Sequence, residues 1–182
     1  ALGGVWSEKS GVVNIALEGM LLAGGLASVA VHHASGSALL GLVAGVAMGG
    51  LMGLVHAWVV EKGRASAIVS GIALNLIAAG GTRFFLRALY DSSSNSPAVS
   101  GFSHSGEGVM RVVSALFEPT TILVVLAVFA TAFAFENTPF GLHVRAAGGE
   151  PEATRSAGID VTWVRIRAVT IGGALAGLGG VA

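Results

Sequence analysis

An all-α, polytopic bundle of membrane-spanning helices is the fold class this sequence predicts. Apolar runs near the roughly 20 residues that a membrane helix needs recur along the chain. Of the 182 residues, 53% are hydrophobic and 11% charged, with a mean hydropathy of +0.79. Soluble domains carry about 25% charged residues, so less than half the usual solubilising charge is present. The 28 glycines scatter through the apolar runs, where a missing side chain lets helices approach closely in lipid. Ten acidic residues balance ten basic ones, which argues against nucleic acid as a partner. The absence of cysteine excludes disulfides, thiol catalysis and cysteine-ligated metals.

The elements follow in order. Ala1–Trp6 reads as the tail of an earlier apolar helix, and the run from Ala174 stops inside another, so the chain is expected to be a fragment with both ends cut. Val12–Val31 is a first span, interrupted by Asn14 and Glu18, and Ala38–Val60 a second. The hairpin Glu61–Arg64 leads tightly into a third, Ala65–Gly81. Thr82–Pro119 is a long loop containing the turn-rich run Asp91–Pro97. Thr120–Phe135 is a shorter fourth span, residues 138–160 form a polar, glycine-punctuated insert, and Ile166–Ala182 begins a fifth span.

Basic residues set the orientation. With the first span starting in the cytoplasm, Lys9, Lys62, Arg64, Arg145, Arg155, Arg165 and Arg167 lie inside, and Arg83, Arg87 and Arg111 outside. That distribution obeys the positive-inside bias. It places the 138–160 insert in the cytoplasm and the 82–119 loop outside.

Four groups of residues could carry function. Asn14 and Glu18, four residues apart, are expected on one face of the first helix. An ionisable group near the membrane centre costs about 2.5–3.5 kcal/mol on insertion scales, so Glu18 should face the bundle interior or a wet pathway. It either contacts substrate or bonds a neighbouring helix at a broken-helix junction. Gly41, Gly45, Gly49 and Gly53 repeat every fourth residue and clear one face for helix packing. Asn75 has small neighbours in Gly71, Ala78 and Ala79, which suits either a pathway or an interhelical hydrogen bond; His56 reads as a hydrogen-bonding group. In the insert, Gly148 and Gly149 permit a sharp bend, Pro151 starts a short helix with Glu152 in its first turn, and Gly158 ends it. Arg155 lies on that helix.

No G-x-x-x-x-G-K-[ST] phosphate loop is written in the chain. No Ser-His-Asp set, H-E-x-x-H or metal spacing is visible either. The chain therefore reads as one without enzymatic chemistry, metal or cofactor of its own.

Two segments, SGVVNIALEGMLLAGG (Ser10–Gly25) and TPFGLHVRAAGGEPEATRSAGID (Thr138–Asp160), resemble signature stretches of bacterial ABC-importer permeases. The group is the one for nucleosides and simple sugars, related to the ribose and branched-chain amino-acid permeases. The N-I-x-x-E-G form looks most like the nucleoside branch, and the resemblance covers almost the whole chain. It implies a multi-pass permease of the bacterial inner membrane, lacking here its first helix and C-terminal third. It also implies cytoplasmic ATPase subunits that bind the ATP, a second permease subunit, identical or different, and an extracytoplasmic substrate-binding protein. The insert would be the segment seated in the ATPase. Gly141, Arg145, Gly148, Glu150, Pro151, Ala153, Gly158 and Ile159 match its pattern, although the chain reads GGEPEA where the family pattern is GENPEA. Asn14, Glu18 and Gly19 match the motif at a broken junction near the translocation pathway. The alternatives are a permease for branched-chain amino acids or ribose, an ion-coupled secondary transporter, and a membrane anchor.

Overall fold

A computed structural model describes residues 1–91 and 119–181, and these form helices without strands. In chain order they are α1 (Leu2–Lys9), α2 (Leu17–Ser35), α3 (Ala38–Glu61), α4 (Ala67–Tyr90), α5 (Pro119–Asn137), α6 (Pro139–Gly149), α7 (Pro151–Ser156) and α8 (Val161–Val181). The turn-rich Ser92–Pro97 stretch, Arg111 and Ala182 lie outside the described residues.

By length and composition α3, α4, α5 and α8 can cross a membrane. Among the described residues that is four helices where the sequence suggested five. The expected first span is the one that differs. Val12–Ala16 is not helical, and α2 begins only at Leu17. Glu18 and the pair His32–His33 dilute the apolar character of its 19 residues. The third helix runs past Gly81 to Tyr90 because apolar residues continue around Arg83 and Arg87, so residues 82–90 of the expected loop are helical. The last helix starts at Val161 rather than Ile166. Asp160 Oδ1 accepts from the Trp163 N–H at 3.2 Å, a cap that lets the helix begin ahead of its two arginines.

Glycine positions α8 at the centre. Gly49 and Gly53 of α3 face Gly173 and Gly177 of α8, and Gly45 fits between Gly24 of α2 and the end of α8. Gly41 packs on Ser28 and His32 of α2. A Cβ added at Gly49 would collide with the Gly173 carbonyl oxygen, so this contact is backbone against backbone. Van der Waals packing of this kind is what holds helices together where lipid removes the hydrophobic drive.

At one end of the bundle a smaller core joins α1, α5, α6 and α8. Trp6 is 4% exposed and meets Phe135 at a ring-centroid distance of 4.5 Å. Its indole N–H donates to Thr131 Oγ1 at 3.2 Å. Val144, Ala147, Val161, Val164 and Ala168 complete the cluster.

Candidate functional site

The site begins with the unwound segment between α1 and α2. Gly3 packs on the Gly172 carbonyl and Ser10 offers its carbonyl to Arg165, so α1 runs antiparallel to α8. Leu17, the first residue of α2, lies beside Gly3 again. The chain thus doubles back, and α2 begins about 10 Å further into the bundle than α1 ends, at 1.5 Å per helical residue. Gly11 makes the reversal with φ +83°, a backbone conformation that side chains with a Cβ resist.

Irregular backbone at membrane depth is tolerated only where protein satisfies it, and here four of the backbone groups find partners within the chain. Val12 N–H donates to the Ser7 carbonyl at 3.1 Å. Asn14 Oδ1 accepts from Ala16 N–H at 3.0 Å, while its Nδ2 donates to Ser7 Oγ at 3.2 Å. Asn75, from α4, donates to the Ile15 carbonyl at 2.9 Å and accepts from the Gly19 N–H at 2.8 Å. A single amide thereby supports both the unwound segment and the exposed start of α2. Gly71 brings α4 against Ile15 and Ala16. Behind them His56, fully buried, places Nδ1 3.0 Å from Ser70 Oγ.

This geometry corrects the expectation that Asn14 and Glu18 share a helix face. Asn14 precedes the helix, is 8% exposed and holds the turn. Glu18 sits in the first turn of α2, where the helix dipole favours an acid. It lines a cavity of about 680 Å³ between α1, α2, α5 and α8. The other lining side chains are apolar, among them Leu21, Val124, Val128 and Leu175. Gly19 is buried against Asn75 and Ala78.

The insert at 138–160 is the second part of the site, and it holds two helices instead of the single short one expected. Thr138 caps α6 by accepting from Gly141 N–H at 3.1 Å, with Pro139 in the first turn. Gly141 presses on the Ala134 carbonyl of α5. Glu150 breaks the helix at φ −134°, ψ 75°, outside the α region that a following proline disfavours. α7 then runs only from Pro151 to Ser156. Gly158, at φ +83°, closes it, with Ile159 N–H reaching the Thr154 carbonyl at 3.3 Å.

The predicted insert residues divide by exposure. Arg145, Glu150, Ala153, Arg155 and Gly158 face outward, and Arg155 pairs with Glu152 at 3.1 Å. Gly141, Gly148, Pro151 and Ile159 are turned wholly or partly inward. Gly148 lies against the Lys9 carbonyl, joining the insert to the end of α1.

Sequence reasoning missed Arg165 and Glu61, using Arg165 only to set orientation. Arg165 donates from Nε to the Ser10 carbonyl at 3.0 Å, from one terminal nitrogen to Glu61 Oε1 at 3.3 Å, and from the other to the Ala147 carbonyl at 3.2 Å. The ion pair is mostly shielded, with side-chain exposures of 18% for Arg165 and 10% for Glu61. The available signal was an arginine five residues beyond a capping aspartate, early in a largely apolar helix.

Comparison with known proteins gives this arrangement a family. No solved structure matches the chain. It is 37% identical over 193 aligned residues to the guanosine ABC transporter permease protein NupQ of Bacillus subtilis, covering 99% of this chain and 60% of that protein. It is 32% identical to the nucleoside ABC transporter permease protein NupC of Lactococcus lactis, covering 99% of this chain and 61% of that one. It is 26% identical to the ribose import permease protein RbsC of Escherichia coli, covering 93% of the chain and 51% of the relative. The chain thus spans about half to three-fifths of the length of these curated relatives. The family model described as branched-chain amino acid transport system / permease component matches residues 1–182, and the chain belongs to that family.

Proposed function

We propose that this chain is part of the membrane-spanning permease subunit of an ATP-driven importer for nucleosides or simple sugars in a bacterial cytoplasmic membrane. Separate cytoplasmic ATPase subunits bind and hydrolyse the ATP. An extracytoplasmic binding protein delivers the substrate, and a second permease subunit completes the pathway. The observation that carries the reading is α7, a six-residue helix with most of its surface exposed on a base fixed by α6 and α8. A short helix held this way transmits force to the bundle without absorbing it. The names of NupQ and NupC favour a nucleoside within the substrate class.

Within the bundle, Glu18 at the inner start of α2 is the group offered to the pathway. Half-helix N-termini near the membrane midplane recur as substrate sites in transporters, and a carboxylate there can accept hydrogen bonds from ribose or base. Asn75 and Asn14 hold the backbone that presents it. Coupling requires that ATPase closure favour one of two permease states through differential contacts.

The test is uptake of radiolabelled nucleosides into proteoliposomes holding the full-length permease with its ATPase and binding protein. ATP-dependent uptake, and crosslinking of an Ala153→Cys permease to the ATPase, are the expected results. Uptake that persists without the ATPase would overturn the proposal in favour of an ion-coupled carrier.

A further inference from the structure

The geometry points to Arg165 as the positioning residue that transmits movement of α7 to the unwound segment before α2. This rests on the reading of α6–α7 as the surface gripped by the ATPase.

Three helix ends converge on one guanidinium, two bringing a carbonyl without a helical donor and the third a carboxylate. The last carbonyls of any helix have no intrahelical donor. At the end of α6 the Ala147 carbonyl would ordinarily accept from the residue four positions on, but that residue is Pro151, which has no N–H. Arg165 supplies the missing donor. At the end of α1 the helix stops at Lys9, leaving the Ser10 carbonyl free, and Arg165 supplies that donor as well. At the end of α3, Glu61 puts a negative charge where the helix dipole is already negative. The same guanidinium offsets it.

An arginine fork is planar and holds its donors at fixed relative angles, so its three acceptors cannot shift independently. Displacing α7 displaces Pro151 and the Ala147 carbonyl. Arg165 must then either release that carbonyl or carry Ser10 with it. Ser10 leads directly into the unwound segment, which ends at Ala16 just before Glu18 in the first turn of α2. Gly148, packed against Lys9 and Gly11, provides steric contact along the same route. Ala147 is the member of the buried Trp6 cluster nearest α7, so its carbonyl lies where the packed part of α6 meets the exposed helix.

Full-length permease is reconstituted with its ATPase and binding protein. Substrate transported per ATP hydrolysed is measured, together with maleimide labelling of Val13→Cys, an exposed position in the unwound segment, with and without nucleotide. The parent should transport with ATP and show nucleotide-dependent labelling. Arg165→Gln should lower uptake per ATP at least fivefold and abolish the nucleotide response at Val13→Cys. ATPase crosslinking through Ala153→Cys should stay within twofold. Arg165→Lys, which keeps the charge and loses the fork, should fall between. Pro151→Ala reaches the same contact from the other side by giving the Ala147 carbonyl its own N–H. It should reduce the ratio at normal membrane levels even if Arg165→Gln fails to assemble. Uptake per ATP within twofold of the parent in Arg165→Gln, or in Pro151→Ala where the arginine variant does not assemble, overturns the inference while leaving the importer assignment intact. Parent uptake indifferent to ATP overturns that assignment and the inference with it.

Discussion

Individual residues here are judged by what would occupy their place. At Gly49 a methyl group would meet the Gly173 carbonyl and Gly177. Overpacking of this kind typically costs about 1–3 kcal/mol, so Gly49→Ala should lower the unfolding midpoint of the detergent-solubilised permease. Gly80 has nothing within 4 Å of an added Cβ and sits inside α4. Alanine is about 1 kcal/mol the better helix former, so Gly80→Ala should leave that midpoint unchanged or raise it. Opposite signs at two helical glycines would separate backbone contact from composition. Asn75 gives a third case. Asn75→Leu removes a donor and an acceptor from the unwound segment, and leaving such groups unpaired costs about 1–3 kcal/mol each. A drop in thermal stability is expected, with Asn75→Asp retaining the contact to Gly19 N–H and losing the one to the Ile15 carbonyl.

At the scale of elements, the long apolar helices were legible in the sequence because hydropathy over some 20 residues is a strong signal. The interruption at Gly11–Ala16 was not legible from the residues alone, because Val12, Val13, Ile15 and Ala16 continue the apolar pattern. What stops the helix is local: a positive φ at Gly11 and the Asn14 side chain capturing Ala16 N–H. Resemblance to permeases pointed to a broken junction there, but not to Asn75 as its support from 60 residues away. α6 was missed although Thr138–Pro139 is a cap followed by a first-turn proline, because a polar stretch rich in glycine reads as a connector. α7 was visible from Pro151 and Gly158. Its Glu152–Arg155 pair is exposed, 88% and 51% by side chain, and such pairs contribute little to stability. Arg155→Glu and Glu150→Lys should accordingly leave membrane levels and unfolding midpoint nearly unchanged. Both should uncouple ATP hydrolysis from uptake in proteoliposomes, and normal coupled uptake in both would remove α7 from the mechanism.

Across the whole molecule, large apolar side chains face outward along α3, α4 and α5, with Leu76 69%, Phe84 68% and Phe129 68% exposed. An apolar surface this extensive suits lipid or further protein. The proposed topology, which rests on the distribution of basic residues, puts the charged end, with Glu61, Lys62, Arg64, Arg165 and α7, in the cytoplasm. A membrane-impermeant maleimide should therefore label Ser156→Cys in inside-out vesicles and spare it in intact cells. Labelling in intact cells would invert the topology.

The unwound segment also dictates an order of events during synthesis. Its backbone leaves the ribosome 60 residues before Asn75 and 155 residues before Arg165. At about 5–20 residues per second the first interval lasts roughly 3–12 s. Throughout that time the Ile15 carbonyl and the Gly19 N–H lack a partner, which lipid cannot supply, so the insertion machinery must shelter α1 and α2 until α4 emerges.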